Sequence, residues 1–269
     1  MEKINIQVSK LLSEIKKQKP LIHHITNFVV MNDTANITLH LGALPVMAHA
    51  HEEAKEMTGH AGALVLNIGT LAEYWIESML KAGKTANEKG IPIIFDAVGA
   101  GATAYRTNAC ERLIDELNIA IIKGNAGEIG ALSGAGGKVR GVESVGKIDD
   151  LASIVRNYAI KTGTAVVATG KRDIISDGKT VYAVDNGNAW LSAITGSGCM
   201  ATAVIGAFCA VEHDRALACA GALACFGLSA ELAEKDAKGP ASFKVALLDA
   251  VYNMDQKTLA SGAKISEIK

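Results

Sequence analysis

The chain has 269 residues, 49% of them hydrophobic and only 4% aromatic, and its 27 basic and 28 acidic side chains leave a formal net charge of -1. Such a balance supplies no global field for nucleic acid or an anionic membrane, so neither is expected as a partner and the ligand expected is a small molecule. Length and the lack of any low-complexity linker fit one large α/β domain over residues 1–269, its core built from Ala, Val, Ile and Leu. The five cysteines, at 110, 199, 209, 219 and 225, form no CxxC pair and no zinc-ligand spacing, which points to a reducing, cytoplasmic setting.

The first twenty residues alternate Lys and Glu with Ile, Val and Leu, the pattern of an amphipathic helix and not of a secretory signal. A short apolar run over 21–26 then reads as a strand carrying His23 and His24, followed by Asn27 and a helical pattern over 29–41. Adjacent histidines on a strand point to opposite faces, so no metal is assigned to them. Asn27 either reads a polar group on a ligand through its amide or caps the next helix. A second strand over 43–48 contains Met47, which composition alone assigns to the core. The His49-x-His51 spacing beyond it is read as a surface loop in preference to a metal pair.

A buried strand over 62–68 and a long helix over 71–89, with Trp75, Met79 and Leu80 facing inward, establish βα alternation. The strand over 91–95 delivers Asp96 and the glycine loop 97–103. A carboxylate at the carboxyl end of a parallel strand lies where open α/β sheets hold ligands, and its oxygens suit magnesium, directly or through water. Gly99-x-Gly101-x-x-Ala104 is only a weak dinucleotide fingerprint. The acidic residue that should follow about twenty positions later falls at Asp115 or Glu116, within a helix expected over 111–117.

The strand over 119–122 runs into Lys123-Gly124-Asn125 and a short helix to 132. Lys123 meets phosphate oxygens or is an ordinary solvated lysine. Glu128 stands in a first helical turn with Asn125 as its cap. Residues 134–146 read as a surface excursion or lid. A helix over 148–162 and a strand over 165–169, ending in Thr169-Gly170, complete the parallel pattern. Asp177-Gly178 then separates two short strands, 173–176 and 179–184, as a β-hairpin, so an antiparallel edge is expected.

The run Thr195-Gly196-Ser197-Gly198-Cys199 precedes an apolar helix over 200–211. Unpaired amides at the positive end of a helix dipole suit an anion such as a phosphoryl group, although the same run also fits a plain turn into a buried helix. No GxxxxGK[ST] run is present, so a P-loop route to ATP is excluded. The uncharged stretches 189–211 and 216–230 are read as buried helices; the first is broken by its turn and is too short beyond it to cross a bilayer. Helices near 214–234 and 242–258 close the chain.

Six motifs occur together in order: His24-Ile25-Thr26-Asn27-x-Val29-Val30, Gly42-Ala43-x-Pro45-x-Met47, Asn67-x-Gly69-Thr70, Asp96-x-Val98-Gly99-Ala100-Gly101-Ala102-Thr103, Gly124-Asn125-x-x-Glu128 and Gly196-Ser197-Gly198-Cys199. As a set they resemble the hydroxyethylthiazole kinases of the ribokinase-like superfamily, from about Pro20 to the final helix. The resemblance implies a three-layer α/β sandwich whose mostly parallel central sheet has helices on both faces and an antiparallel edge hairpin. It implies transfer of the ATP γ-phosphoryl group to the hydroxyl of 4-methyl-5-(2-hydroxyethyl)thiazole in thiamine salvage, with Mg2+. Asp96 and Glu128 would organise the magnesium, and Lys123 and Thr169 would contact the nucleotide. Asn27, Met47 and Gly196 would line the thiazole pocket, with Met47 offered by the neighbouring subunit of a homotrimer whose active sites lie between subunits. Gly196, Ser197, Gly198 and Cys199 would form the anion hole.

Three positions depart from the family pattern: Ala97 where proline is usual, Lys123 where arginine is frequent, and Ser197 where threonine is usual. In related sugar kinases an aspartate base occupies the position of Cys199. A helix-start thiol with a pKa below about 8.5 would let Cys199 accept the alcohol proton as a thiolate; otherwise it positions the hydroxyl. The rival readings are another ribokinase-like enzyme, such as a hydroxymethylpyrimidine kinase or a hydrate dehydratase, and a non-catalytic thiazole or nucleotide sensor.

Overall fold

The computed structural model describes residues 2–135 and 148–268. In chain order the elements are α1 (Glu2–Gln18), β1 (Leu21–Ile25), α2 (Met31–Leu41), β2 (Leu44–Val46), α3 (Ala54–Thr58), β3 (Ala63–Asn67), α4 (Glu73–Lys89), β4 (Ile93–Asp96), α5 (Ala104–Glu116), β5 (Ile121–Asn125) and α6 (Ala126–Ser133). There follow α7 (Ile148–Thr162), β6 (Ala165–Thr169), β7 (Asp173–Ser176), β8 (Val181–Val184), α8 (Ser197–Cys209), α9 (Arg215–Ala233), α10 (Pro240–Asn253), α11 (Gln256–Gly262) and β9 (Ile265–Glu267).

All nine strands join one sheet in the order β2-β1-β3-β4-β5-β6-β7-β8-β9. Strands from β2 to β6 pair in parallel, and β6 to β9 pair antiparallel. Apolar residues fill both faces, because side chains alternate along a strand and each face must be covered. Ala63, Val65, Ile94, Ile121 and Val167 pack in one cluster with α1, α2, α8, α9 and α10. Leu64, Leu66, Ile93, Phe95, Ile122 and Val166 pack in the other with α4, α5 and α7. Three layers result, as expected.

Residues 215–236 are long and apolar enough to cross a membrane, but 89% of their apolar 18-residue window is buried within the protein, and α8 is likewise buried. Both are core helices.

Several boundaries differ from the sequence expectation. Helix α5 starts at Ala104, seven residues before the expected 111, because the Thr103 hydroxyl caps it by accepting from the Arg106 amide at 3.2 Å; its polar first turns mask the apolar period. The helix expected over 242–258 is two, since Asp255 starts a new one by accepting from the Thr258 amide at 2.7 Å. Helix α3 and strand β9 are too short to show a period, and β9 forms through its pairing with β8. The surface excursion or lid read over 134–146 lies almost wholly outside the described residues.

Candidate active site

The sheet order places β2 on one side of β1 and β3 on the other, so successive connections diverge after β1 and leave a crevice at the carboxyl ends of β1 and β3. The strands deliver polar side chains there by simple alternation. Asn67 follows Val65, Asp96 follows Ile94 and Lys123 follows Ile121 on the face covered by α8, and the three are direct partners across β3, β4 and β5. Their side chains meet. Asn67 Nδ2 donates to Asp96 Oδ2 at 2.9 Å, and Lys123 Nζ lies 3.1 Å from Asp96 Oδ1. With Asp96 0% and Lys123 4% exposed, the solvated reading of Lys123 is overturned.

Helix α8 closes the crevice. Gly196 adopts φ 86° to turn the chain onto the helix, and a Cβ there would come within 2.6 Å of Val30 Cγ1, so glycine is required twice over. The helix begins at Ser197, two residues into the stretch expected to be loop, which puts Cys199 in its first turn. Lys123 Nζ donates to the Gly198 carbonyl at 3.2 Å, and Thr202, one turn on, donates to Asp96 Oδ2 at 2.7 Å. The positive end of the helix, with its unpaired first amides, thus lies beside a buried ammonium. Burial opposes the Lys123 charge, but Asp96 and Glu128 outweigh it and hold the ammonium above its ordinary pKa.

Asn27 and Asn67 both face the Cys199 sulfur. Asn67 Oδ1 accepts from the Gly69 amide at 2.9 Å, which fixes the orientation of that amide group and makes Nδ2 the donor to Cys199 Sγ at 3.2 Å. Asn27 Oδ1 accepts from the Val29 amide at 3.1 Å, and its Nδ2 donates to Asn67 Oδ1 at 2.7 Å and reaches Cys199 Sγ at 3.7 Å. The expectation of a low thiol pKa is corrected here. Burial, seconded by Asp96, pushes Cys199 up to about 11, against the pull of Lys123 and of both amide bonds. At neutral pH the side chain is a thiol.

Glu128 sits in the first turn of α6 in a reciprocal cap. Its Oε2 accepts from the Asn125 amide at 2.6 Å, its own amide donates to Asn125 Oδ1 at 2.9 Å, and Oε1 accepts from the Gly99 amide at 2.7 Å. Burial raises its pKa against the pull of Lys123. Thr169 lies at the end of β6, its hydroxyl donating to the Gly124 carbonyl at 3.3 Å. Met47 stands half-buried just past edge strand β2, and the hydrogen-bonded network described above does not include it.

Sequence reasoning passed over Asn67, Thr202 and Arg106 as site residues. The sequence motif gives Asn67 no role, although the period-2 row Ala63-Val65-Asn67 ends as the row Ile94-Asp96 does, in a polar side chain at a strand's carboxyl end. Three of the seven histidines are held by structural bonds. His23 bonds Thr58 Oγ1 and the Ala48 carbonyl, both at 2.8 Å, His49 accepts from the Thr26 amide at 3.0 Å, and His51 donates to the Tyr74 carbonyl at 2.6 Å while stacking on its ring. No group of three or more His, Cys, Asp or Glu side chains suited to a metal occurs among the described residues.

A sequence model described as the Hydroxyethylthiazole kinase family matches residues 12–257. The chain belongs to that family. It is 57% identical over 269 residues to a hydroxyethylthiazole kinase of Desulforudis audaxviator, covering 100% of this chain and 98% of that one. The solved hydroxyethylthiazole kinase protein of Pyrococcus horikoshii superposes with a TM-score of 0.91 at 43% identity, covering 98% of this chain and 99% of that one. A pyridoxal kinase of Staphylococcus aureus in complex with ADP shares the fold at a TM-score of 0.65 and 16% identity, covering 93% of this chain and 99% of that one. The ribokinase-like architecture is therefore established, and membership of the hydroxyethylthiazole kinase family identifies the chain as a kinase.

Proposed function

We propose that this protein transfers the γ-phosphoryl group of ATP to the hydroxyl of 4-methyl-5-(2-hydroxyethyl)thiazole, with magnesium, in thiamine salvage. The observation that carries the reading is the juxtaposition of the α8 N-terminus with buried Lys123 and Asp96 beside the sheet's switch point. Phosphoryl transfer through a loose transition state asks a protein to align two reactants and stabilise charge on the moving oxygens. Helix amides and an ammonium do that. Of the three N–H donors of Lys123, two are taken by Asp96 and Gly198, which leaves one for a phosphoryl oxygen.

The donor set fits magnesium. Asp96 and Glu128 offer hard oxygens, and each Glu128 oxygen accepts one backbone amide and keeps a lone pair. Two carboxylates with phosphate oxygens and water completing the shell is the usual magnesium arrangement, and the ion when bound would neutralise phosphate charge. Asp96 is the less accessible of the two, since Lys123, Asn67 and Thr202 already hold it, and it would hold the ion through water.

Asn27 and Asn67 orient the acceptor side. With their N–H groups aimed at the sulfur, the Cys199 hydrogen is directed elsewhere, and the thiol serves to position the alcohol. The alcohol proton passes to a phosphoryl oxygen instead of to a thiolate. Thr169 is assigned to the nucleotide, and Gly196 with Asn27 to the thiazole pocket, completed by Met47 from the neighbouring subunit of a homotrimer. Five free thiols suit the cytoplasm.

The reading is tested by incubating the protein with magnesium, ATP and the thiazole alcohol and following the phosphorylated thiazole by mass spectrometry. Product that needs magnesium and falls sharply in Asp96→Ala and Glu128→Ala supports it. A folded protein that binds nucleotide and yields no product rejects the thiazole alcohol as its substrate.

A further inference from the structure

Arg106, in the first turn of α5, spends its guanidinium on the backbone of two loops. Nη1 donates to the Ile68 carbonyl at 2.8 Å and the Val98 carbonyl at 2.9 Å, and Nη2 donates to the Gly69 carbonyl at 2.9 Å. Ile68 and Gly69 directly follow Asn67, and Val98 lies two residues past Asp96. Three carbonyl oxygens gathered at one point repel one another, and a planar fork of five donors with a permanent charge is suited to hold them. A lysine, with one nitrogen at the end of a flexible stem, cannot reach all three in one plane.

The surrounding chain is arranged to admit this side chain. The Thr103 cap that begins α5 receives the Arg106 amide itself. Gly99, at φ 76°, lets the stem pass, since a Cβ there would sit 3.0 Å from Arg106 Cδ. Each tethered loop then bears on a different part of the site. The Gly69 amide donates to Asn67 Oδ1 at 2.9 Å, on the side of Asn27 and Cys199. The Gly99 amide donates to Glu128 Oε1 at 2.7 Å, on the side of the carboxylates.

We propose that Arg106 is a positioning residue that fixes the spacing between the loop after Asn67 and the loop after Asp96, and so aligns the acceptor side of the site with the charged side. Its kinetic consequence rests on the kinase reading above; its structural consequence does not. Small misplacements of reacting groups are costly, about a hundredfold for an ångström. Arg106→Ala should therefore lower kcat about a hundredfold with little change in the KM of either substrate, and Arg106→Lys should lower it by roughly tenfold.

The test uses the full-length protein. Methylguanidinium added to Arg106→Ala should restore part of kcat where urea does not. Amide exchange should quicken in segments 67–70 and 97–103 together while the central strands keep their protection. Wild-type kcat in a folded Arg106→Ala, or unchanged exchange in both loops, would overturn the inference. If Arg106→Ala does not fold, Arg106→Lys carries the kcat and exchange readouts. If the wild-type protein transfers no phosphoryl group, the kinase reading fails and amide exchange alone decides the role of Arg106.

Discussion

The two halves of the site stand at the carboxyl ends of neighbouring strands but are held by different physics. Asn27, Asn67 and Cys199 form a neutral half, in which each amide has its donors and acceptors matched. Asp96, Lys123 and Glu128 form a charged half, buried from water and stable only because opposite charges and oriented amides meet there. The difference teaches what each half can tolerate. Loss of a neutral member costs a hydrogen bond and some alignment, whereas loss of a charged member leaves a bare charge in a low-dielectric interior.

The largest effect is expected from breaking the buried pair. Asp96→Ala strands Lys123, and should lower unfolding stability in denaturant by about 3–5 kcal/mol and turnover by a hundredfold or more, to about the background of the assay. A loss under about 1 kcal/mol would mean that the charged half is not held as described. In the neutral half, Asn67→Ala leaves the Gly69 and Asn27 donors unpaired and should cost about 1–3 kcal/mol, with kcat reduced and nucleotide affinity retained. A fall in nucleotide affinity equal to the fall in kcat would erase the distinction between the halves.

Cys199→Ser sharpens the comparison further. Stability should change little, turnover should slow by roughly tenfold, and nucleotide binding should persist. Because burial and Asp96 push the thiol up to about 11, the kcat/KM profile of the wild-type protein should show no thiol ionisation between about pH 6 and 9. A limb in that range that vanishes in Cys199→Ser would restore the thiolate base.

The smallest effect on turnover lies outside both halves, at Asp173. Burial pushes this carboxyl from 3.8 up to about 7, despite the bond it accepts from the Gly170 amide at 2.9 Å. The folded chain therefore binds its proton more tightly than the unfolded chain, and the stability this contributes at low pH is lost as pH rises from about 4 to 7. Asp173→Asn keeps an acceptor for Gly170 and removes the titration. Its melting temperature should match the wild type near pH 4 and exceed it near pH 8. Parallel pH profiles for the two proteins would show that Asp173 is not the group responsible.

Much of the fold was legible because its signals are local. The apolar runs that became β1, β3, β4 and β6 are bounded by turn residues, and Asp177-Gly178 marked the hairpin before any pairing was known. Asp96, Glu128 and the glycine turn at 196 stood out because carboxylates at strand ends and glycines at helix starts are conspicuous in one dimension. Asn67, Thr202 and Arg106 were not conspicuous. An asparagine ending a strand, a threonine inside an apolar helix and an arginine in a polar turn each have many ordinary explanations.

By itself the sequence determined the α/β alternation, the antiparallel edge and the chemical inventory of the site, since periodicity, turn chemistry and residue type are all properties of short segments. Only the tertiary structure decided that Lys123 is buried against Asp96, that Cys199 remains a thiol, and that Arg106 ties two loops together. Those outcomes depend on desolvation and on partners up to 172 residues apart in the chain, as between Asn27 and Cys199, and neither is written in any local stretch.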